Sequence, residues 1–253
     1  MRSALYRASP ILFGLAMAVL WEVLGRRSNP ILLPPLSRVL QALWGFATAD
    51  ALQQAWFSST RLLLMGLGLG TIVGIVGGLV LGRFQSVEEI LDPFLAAAFA
   101  TPRIALLPLI ILWFGIGLQA QVFMVFLTSF FEVLVATVVG VRTVGRGYVE
   151  VARAFRLPRR LLITGVLLPG AVPHIVAGLR LATGHALIGV VLAEMFIQAT
   201  GIGGLILSES QNFRTAGLLA AVLTVAGVAV ILNALLNQVE RRYAPWKASP
   251  VTG

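Results

Sequence analysis

The sequence predicts an all-α, polytopic membrane protein that forms a single domain over residues 1–253, with six transmembrane helices, one interfacial helix and one short cytoplasmic helix. The 253 residues are 58% hydrophobic and 11% charged, and their mean hydropathy is +0.93. A soluble domain of this size carries about 25% charged residues. Several apolar runs reach the ~20 residues that a helix needs to cross a bilayer. Most of the basic residues cluster in loops beside those runs, so the net charge of +9 indicates membrane topology and not nucleic-acid binding.

The six predicted spans cover residues 11–25, 56–82, 93–114, 121–141, 175–197 and 215–239. We interpret the first as a retained span, because Arg26 and Arg27 follow it directly and no small-x-small cleavage site does. Between the first two spans, Pro34-Pro35 followed by Ser37 is a helix-start signal. The apolar positions of residues 36–44 then recur at helical spacing, which predicts an interfacial helix.

Glycine recurs every four residues along the second span. The series is Gly66, Gly70, Gly74, Gly78 and Gly82. Such a ladder lets another helix approach backbone to backbone, which we favour over a ligand-lining role. We predict that the four glycines from Gly66 to Gly78 pack against another helix.

Residues 83–92 are predicted to form a short polar loop before the third span. Thr101-Pro102-Arg103 and Pro108 lie within that span and predict a kink, because proline removes a helix hydrogen bond. Residues 199–213, which contain Gly201, Gly203 and Gly204, are predicted as a loop or re-entrant turn.

Residues 142–173 form the one long basic segment of the chain. On a helix, Glu150, Arg153 and Arg156 share one face, and the apolar positions 151, 152 and 155 share another. The Leu157–Pro158 step should end that helix, and the apolar run that follows breaks at Pro169. The segment is either a docking element at the membrane surface or an ordinary cytoplasmic loop kept basic by the positive-inside rule.

The distribution of basic residues predicts the orientation of the chain. One side carries Arg2, Arg7, Arg83, the six arginines between 142 and 160, Arg241, Arg242 and Lys247. The other side carries Arg26, Arg27, Arg38, Arg61 and Arg214. The richer side is predicted to be cytoplasmic, so both termini and the basic segment lie in the cytoplasm.

Four charged residues fall inside predicted spans, namely Arg103, Glu132, Arg180 and Glu194. Each costs ~2.5–3.5 kcal/mol in hydrocarbon on insertion scales unless it is paired or faces water. Arg103 is predicted either to contact an oxyanion or to pair with Glu132 on the next helix, and pairing is slightly favoured. Arg180 is predicted to reach the interface or to fix the basic segment, and Glu194 to lie at the outer mouth.

Several classes of chemistry are excluded by what the sequence contains. The one lysine, Lys247, is in the tail, so no phosphate-binding G-x-x-x-x-G-K-[ST] loop occurs. There is no cysteine, and His174 and His185 have no metal-ligand spacing, so neither a metal site nor a catalytic residue is predicted. For His185, a packed and hydrogen-bonded side chain is favoured over a ligand role. An intramembrane enzyme is disfavoured, because it needs a nucleophile with a base or clustered aspartates.

The basic segment resembles the signature loop of ATP-binding cassette importer permeases of the binding-protein-dependent type I class. That loop runs Glu-Ala-Ala, three residues, Gly, about nine residues and Ile-x-Leu-Pro. Glu150, Ala152 and the closing residues 166–169 match it, whereas Val151 replaces the first Ala and Arg156 stands where Gly is usual. The residues that the resemblance assigns to ATPase coupling are Glu150, Ala152, Arg153, Phe155, Arg156, Leu157, Pro158, Arg159 and Pro169.

Two further stretches resemble the nitrate, sulfonate and taurine permeases within that family. They are Leu-Pro-Pro-x-x-x-Val at residues 33–39 and TPRIALLPLIILWFGIG at residues 101–117. Glu132 departs from the family, which tends to have proline there. The resemblance implies a small anionic substrate such as a sulfonate, taurine or nitrate. A thiamine-precursor pyrimidine or another small nutrient is the alternative, and an ion-driven secondary carrier is a less favoured one.

The same resemblance implies the partners of the chain. They are two ATPase subunits that bind ATP and Mg, a second permease copy that we expect to be identical, and an extracytoplasmic substrate-binding protein, in the bacterial cytoplasmic membrane. The chain itself holds no cofactor and is not an enzyme. The predicted residues of the substrate path are Thr101, Arg103, Glu132, His185 and Glu194.

Overall fold

The computed structural model describes residues 2–144 and 146–243, except for the side chains of residues 2–11, 51, 85, 86, 88, 146, 149, 150, 153, 159, 239 and 241–243. The described chain is helical and joined by short turns. Its α-helices are α1 Arg2–Arg27, α2 Leu36–Thr48, α3 Ala51–Arg83, α4 Gln85–Ala100, α5 Leu107–Phe114, α6 Leu118–Thr143, α7 Arg146–Ala154, α8 Arg159–Leu162, α9 Leu168–Phe196, α10 Gly201–Gln211 and α11 Thr215–Tyr243. A 3-10 turn at Arg103–Leu106 precedes α5, and a π-helical turn at Ile163–Leu167 joins α8 to α9.

Four described helical segments are long and apolar enough to cross a membrane: Leu52–Arg83, Leu118–Thr143, Arg160–Phe196 and Thr215–Gln238. The pair Glu89–Ala100 and Arg103–Phe114 is bent by 90° and makes a fifth crossing if it is counted as one span. The predicted kink in the third span is therefore confirmed as a sharp break. The first predicted span, 11–25, lies in α1, whose first residues have no described side chains, so the number of six spans stays a prediction.

The glycine ladder of α3 packs against α6, as the spacing predicted. A Cβ atom added to Gly74 would lie 2.9 Å from Cβ of Val133, and one added to Gly82 would lie 2.8 Å from Cβ of Val141. The whole ladder meets partners that are also four residues apart: Val125, Ser129, Val133, Thr137 and Val141. Only glycine leaves room for so close an approach.

The order of these contacts also gives the direction of the two helices. Partner numbers rise together along α3 and α6, so the two helices run parallel. Two parallel neighbours that both cross the membrane need a connection that crosses back. The bent pair α4–α5 is that connection, which supports counting it as one crossing. In contrast, α9 runs antiparallel to α6, because Gly178 meets Ala136 and Gly189 meets Thr128.

The predicted polar loop at residues 83–92 is wrong, because α4 begins at Gln85 and holds Pro93 in its interior. Acidic residues near a helix N-terminus are favourable to the helix dipole, so the charged residues after Phe84 are compatible with a helix start. The loop alternative predicted for residues 199–213 is also wrong, since α10 covers most of that range, whereas the re-entrant turn stays a prediction. A Cβ atom on Gly203 would lie 2.6 Å from Cβ of Glu194. Gly203 thus allows α10 to pack closely against α9, and it does not interrupt α10.

The fifth span begins earlier than residue 175, because one apolar helical segment runs from Arg160 to Phe196. Pro169 does not break it. The π-helical turn lies directly before this proline, and such turns rearrange the hydrogen bonds that a proline disrupts. The predicted helix start at Pro34-Pro35 is confirmed, since Pro35 is the N-cap of α2. In α2, Val39 is fully buried whereas Trp44 is exposed. Some apolar side chains of this helix therefore pack against the protein, and others point away from it.

Candidate functional site

The break between α4 and α5 places Arg103 against α6. Its guanidinium donates a hydrogen bond from Nη1 to the carbonyl oxygen of Thr128 at 3.1 Å, and Nη2 lies 3.3 Å from Oε1 of Glu132. The rings of Phe99 on α4 and Phe131 on α6 lie beside it, and their centroids are 5.5 and 5.7 Å from the guanidinium carbon. An arginine between aromatic faces gains a cation–π attraction in addition to its ion pair.

A third charged or polar residue, His185 of α9, completes this cluster. Its Nδ1 atom lies 2.9 Å from Oε1 of Glu132. The side chains of Arg103 and Glu132 are 16% and 10% exposed, whereas that of His185 is 47% exposed. Pairing removes most of the cost of placing isolated charges among apolar helices. The slightly favoured prediction that Arg103 pairs with Glu132 is therefore confirmed.

A cavity of about 440 Å³ opens onto this cluster. Four of the five predicted path residues line it, namely Thr101, Arg103, Glu132 and His185. The ion pair and the cavity wall involve the same side chains, so pairing and a substrate contact are compatible roles for Arg103. Sequence reasoning missed Phe99, which also lines the cavity, and Phe131. Their proximity in sequence to Arg103 and Glu132 was the available signal.

Glu194, the fifth predicted residue, lies elsewhere and is fully buried. Its carboxylate accepts hydrogen bonds from the hydroxyl of Ser59 at 2.7 Å and from the backbone N–H of Gly203 at 2.9 Å. The same hydroxyl oxygen of Ser59 accepts the N–H of Ile202 at 2.9 Å. Glu194 and Ser59 together satisfy backbone donors at the start of α10, which otherwise have no partner within the helix. Glu194 therefore does not line the cavity beside Arg103, and its geometry indicates a role in holding α10.

Arg180 contacts the C-terminal end of α11 and not the basic segment, so the alternative that it fixes that segment is wrong, and the alternative that it reaches the interface stays a prediction. Its Nη1 atom donates to Oδ1 of Asn237 at 2.6 Å and lies 3.1 Å from Oε2 of Glu240. Sequence reasoning missed this pairing, because nothing in the periodicity of α9 and α11 sets how they rotate against each other.

The basic segment forms α7, a tight turn and α8, so the helix end predicted at Leu157–Pro158 is confirmed within a few residues. Arg156 lies beyond the end of α7 with φ of 50°, so the prediction that it shares a helical face with Glu150 and Arg153 is wrong. The N–H of Leu157 donates to the carbonyl of Ala152 at 3.0 Å across this turn. This bond is the one expected when a helix ends in a residue of left-handed conformation, which is usually glycine.

The predicted apolar face of α7 divides in the structure. Ala152 is buried in a cluster with Val141, Leu162, Leu167, Ala171 and Ile175. In contrast, Tyr148, Val151 and Phe155 are 72%, 57% and 77% exposed. An exposed apolar stripe on a helix that is predicted to lie in the cytoplasm is a candidate interaction surface. Arg156, Leu157, Pro158 and Pro169 are exposed as well, whereas the side chains of Glu150, Arg153 and Arg159 lie outside the described part of the structure.

The described residues contain no group of three or more His, Cys, Asp or Glu side chains placed to hold a metal ion. The site therefore consists of an ion pair with a neighbouring histidine on a cavity, and of an exposed helix some distance along the chain. Comparison with known proteins indicates the role of these two features.

Comparison with known proteins gives a consistent result. The family model described as binding-protein-dependent transport system inner membrane component matches residues 66–245. The taurine transport system permease protein TauC of Escherichia coli (strain K12) is 32% identical over 224 residues, which cover 86% of this chain and 81% of that protein. The putative aliphatic sulfonates transport permease protein SsuC of Bacillus subtilis (strain 168) is 30% identical over 245 residues, which cover 94% of this chain and 87% of that protein.

A solved structure shows the same fold. An inward-facing conformation of the MetNI methionine ABC transporter superposes with a TM-score of 0.64 at 15% identity. The superposition covers 74% of this chain and 93% of the solved one.

Proposed function

This chain belongs to the family of binding-protein-dependent transport system inner membrane components, and we propose that two copies of it form the path of an importer for a small oxyanion such as a sulfonate, taurine or nitrate. Members of this family are permease subunits of ABC importers and are not enzymes; a separate subunit hydrolyses ATP, and a substrate-binding protein delivers the solute. The chain is an inner-membrane protein. This membership sets aside the ion-driven carrier that the sequence left open.

The observation that carries the substrate proposal is the position of Arg103. Its guanidinium lies at the break of a membrane-crossing helix pair and lines a cavity together with Thr101, Glu132 and His185. A guanidinium offers planar pairs of N–H donors that suit oxyanions. The two relatives described above are named for taurine, which is itself a sulfonate, and for aliphatic sulfonates. A thiamine-precursor pyrimidine is the second candidate, because Phe99 provides an aromatic wall in the same cavity.

The exposed stripe of α7 supports the second half of the proposal, which concerns coupling. Tyr148, Val151 and Phe155 form an apolar contact surface, and Ala152 fixes α7 to the core formed with α9. An ATPase subunit that binds this stripe and moves can therefore move α7 and α9 together. We infer two such ATPase subunits, each contacting one α7 and binding ATP with Mg, and an orientation with both termini in the cytoplasm.

Co-purification with the neighbouring ATPase tests this proposal. We expect the wild-type chain to bring down its ATPase, and ATP hydrolysis in liposomes to rise when the binding protein and substrate are added. The variant Glu150→Ala plus Arg153→Ala should lose the association or that stimulation. A matched variant with two exposed charges removed on the predicted outer side, Arg38→Ala plus Arg61→Ala, should keep both.

If the ATPase does not co-purify with the wild type, the coupling proposal is wrong. If it co-purifies equally with both variants and the stimulation persists, α7 is not the coupling element.

A further inference from the structure

Arg103 and His185 contact the same carboxylate oxygen of Glu132. Nη2 of Arg103 and Nδ1 of His185 both lie near Oε1, at 3.3 and 2.9 Å. Among the described residues, no hydrogen bond reaches Oε2. A carboxylate can accept several hydrogen bonds through its two oxygens. Glu132 therefore has capacity for one more donor, and it lies on the wall of the cavity.

The charge of the Arg103–Glu132 ion pair restricts what can bind beside it. Arg103 is positive and Glu132 is negative, so the pair is neutral as a unit. A bare oxyanion would add an uncompensated negative charge to an apolar region, which is costly. A solute that carries an oxyanion and an ammonium group adds no net charge, and each of its ends finds an opposite charge.

We propose that Arg103 and Glu132 form a binding site inside the permease for a small dipolar solute, with the oxyanion on Arg103 and the ammonium on Oε2 of Glu132. The permease then selects its solute in addition to the selection made by the binding protein, and Glu132 is the residue that sets the preference. This inference rests on the proposed function, since it assigns the solute of the same path.

The dimensions of the site agree with such a solute. The cavity of about 440 Å³ lies at the small end of the range of ~300–1,000 Å³ for ligand pockets. Thr101 and His185 add polar groups to its wall, and Phe99 supplies an apolar one. The rings of Phe99 and Phe131 and the carbonyl of Thr128 hold the guanidinium in place, so the ligand meets an ordered donor. An ordered site loses less conformational entropy when a ligand binds.

Binding to the purified permease–ATPase complex, with the binding protein left out, tests this inference directly. Three probes separate the two charges: taurine carries both, ethanesulfonate carries the oxyanion alone, and ethylamine carries the ammonium alone. Isothermal titration calorimetry should give taurine an affinity at least about tenfold higher than that of either other probe, because only taurine makes charge-assisted hydrogen bonds with both side chains.

Three variants show whether Glu132 causes that preference. Glu132→Gln keeps the shape and removes the charge, so the ratio of taurine to ethanesulfonate affinity should fall to about one. Glu132→Asp keeps the charge and should keep a preference for taurine. Glu240→Gln is the control. It removes the carboxylate that pairs with Arg180, which is the other described Arg–Glu pair between spanning helices, and it should leave the ratio as in the wild type. Recovery of each variant with its ATPase shows that it is folded.

The outcomes separate this inference from the proposed function. Equal affinities for taurine and ethanesulfonate in the wild type, no binding of any probe, or an unchanged ratio in Glu132→Gln would each overturn the dipolar site. In those cases the importer remains supported if the binding protein and a sulfonate still stimulate ATP hydrolysis. A loss of that stimulation in the wild type argues against the proposed function itself.

Discussion

The backbone N–H of Leu157 donates a hydrogen bond to the carbonyl oxygen of Ala152 at 3.0 Å and so closes the turn after α7. The residue inside this turn is Arg156, whose φ is 50°. The signature loop that this segment resembles led us to expect glycine at this position. The chain thus keeps the tight turn with an arginine in a conformation that favours glycine.

We expect Arg156→Gly to stabilise the turn by ~0.5–1 kcal/mol, because glycine adopts positive φ without the clash that a Cβ atom causes. The thermal unfolding midpoint of the purified complex should rise slightly, and cleavage by chymotrypsin at Tyr148 and Phe155 should slow. Arg156→Lys keeps both the Cβ atom and the charge, so it should behave as the wild type. A lower midpoint in Arg156→Gly would show that the exposed guanidinium makes a contact that outweighs the strain.

The close contact between α3 and α6 leads to a second prediction. Gly74→Ala should destabilise the protein by ~1–3 kcal/mol, because the new Cβ atom would lie 2.9 Å from Cβ of Val133 and 3.0 Å from the carbonyl of Phe130. Gly68→Ala is the matched control on the same helix, since its Cβ atom would meet nothing within 4 Å. That change should be neutral or stabilising, because alanine favours a helix by ~0.5–1 kcal/mol over glycine. Equal unfolding midpoints for the two variants would contradict the packing role of the ladder.

The buried carboxylate of Glu194 leads to a third prediction, which separates a structural role from a place on the path. Ser59→Ala removes one donor to Glu194 and the acceptor of the N–H of Ile202, and should cost ~1–3 kcal/mol. Ser208 of α10 is exposed, and Ser208→Ala removes only a bond to the carbonyl of Leu205, so it should be nearly neutral.

The measurement for this third prediction is the unfolding midpoint together with the relative uptake of taurine and ethanesulfonate. A structural role predicts that Ser59→Ala lowers the midpoint and leaves the uptake ratio unchanged. A changed ratio at an unchanged midpoint would place Glu194 on the substrate path.

Part of the candidate site could be predicted from the sequence, and the reason is local. Charged residues in apolar helices are costly wherever they lie, so Arg103 and Glu132 were identifiable from their position in the chain alone. Glu194 has the same cost and was identified in the same way, yet it holds α10 and lies away from the cavity. Sequence position indicates that a charge needs a partner, but it does not identify the partner.

The sequence by itself determined that this protein is a helical membrane protein, where most of its apolar segments lie, and that the ladder from Gly66 to Gly82 packs against another helix. These follow from hydropathy and from a fixed helical period, which are properties of single segments. Only the tertiary structure decided that the ladder meets α6, that His185 joins Arg103 and Glu132, and that Arg180 pairs with α11. These contacts depend on how each helix is rotated and tilted against its neighbours, and on the 90° break after Ala100, which helical periodicity leaves open.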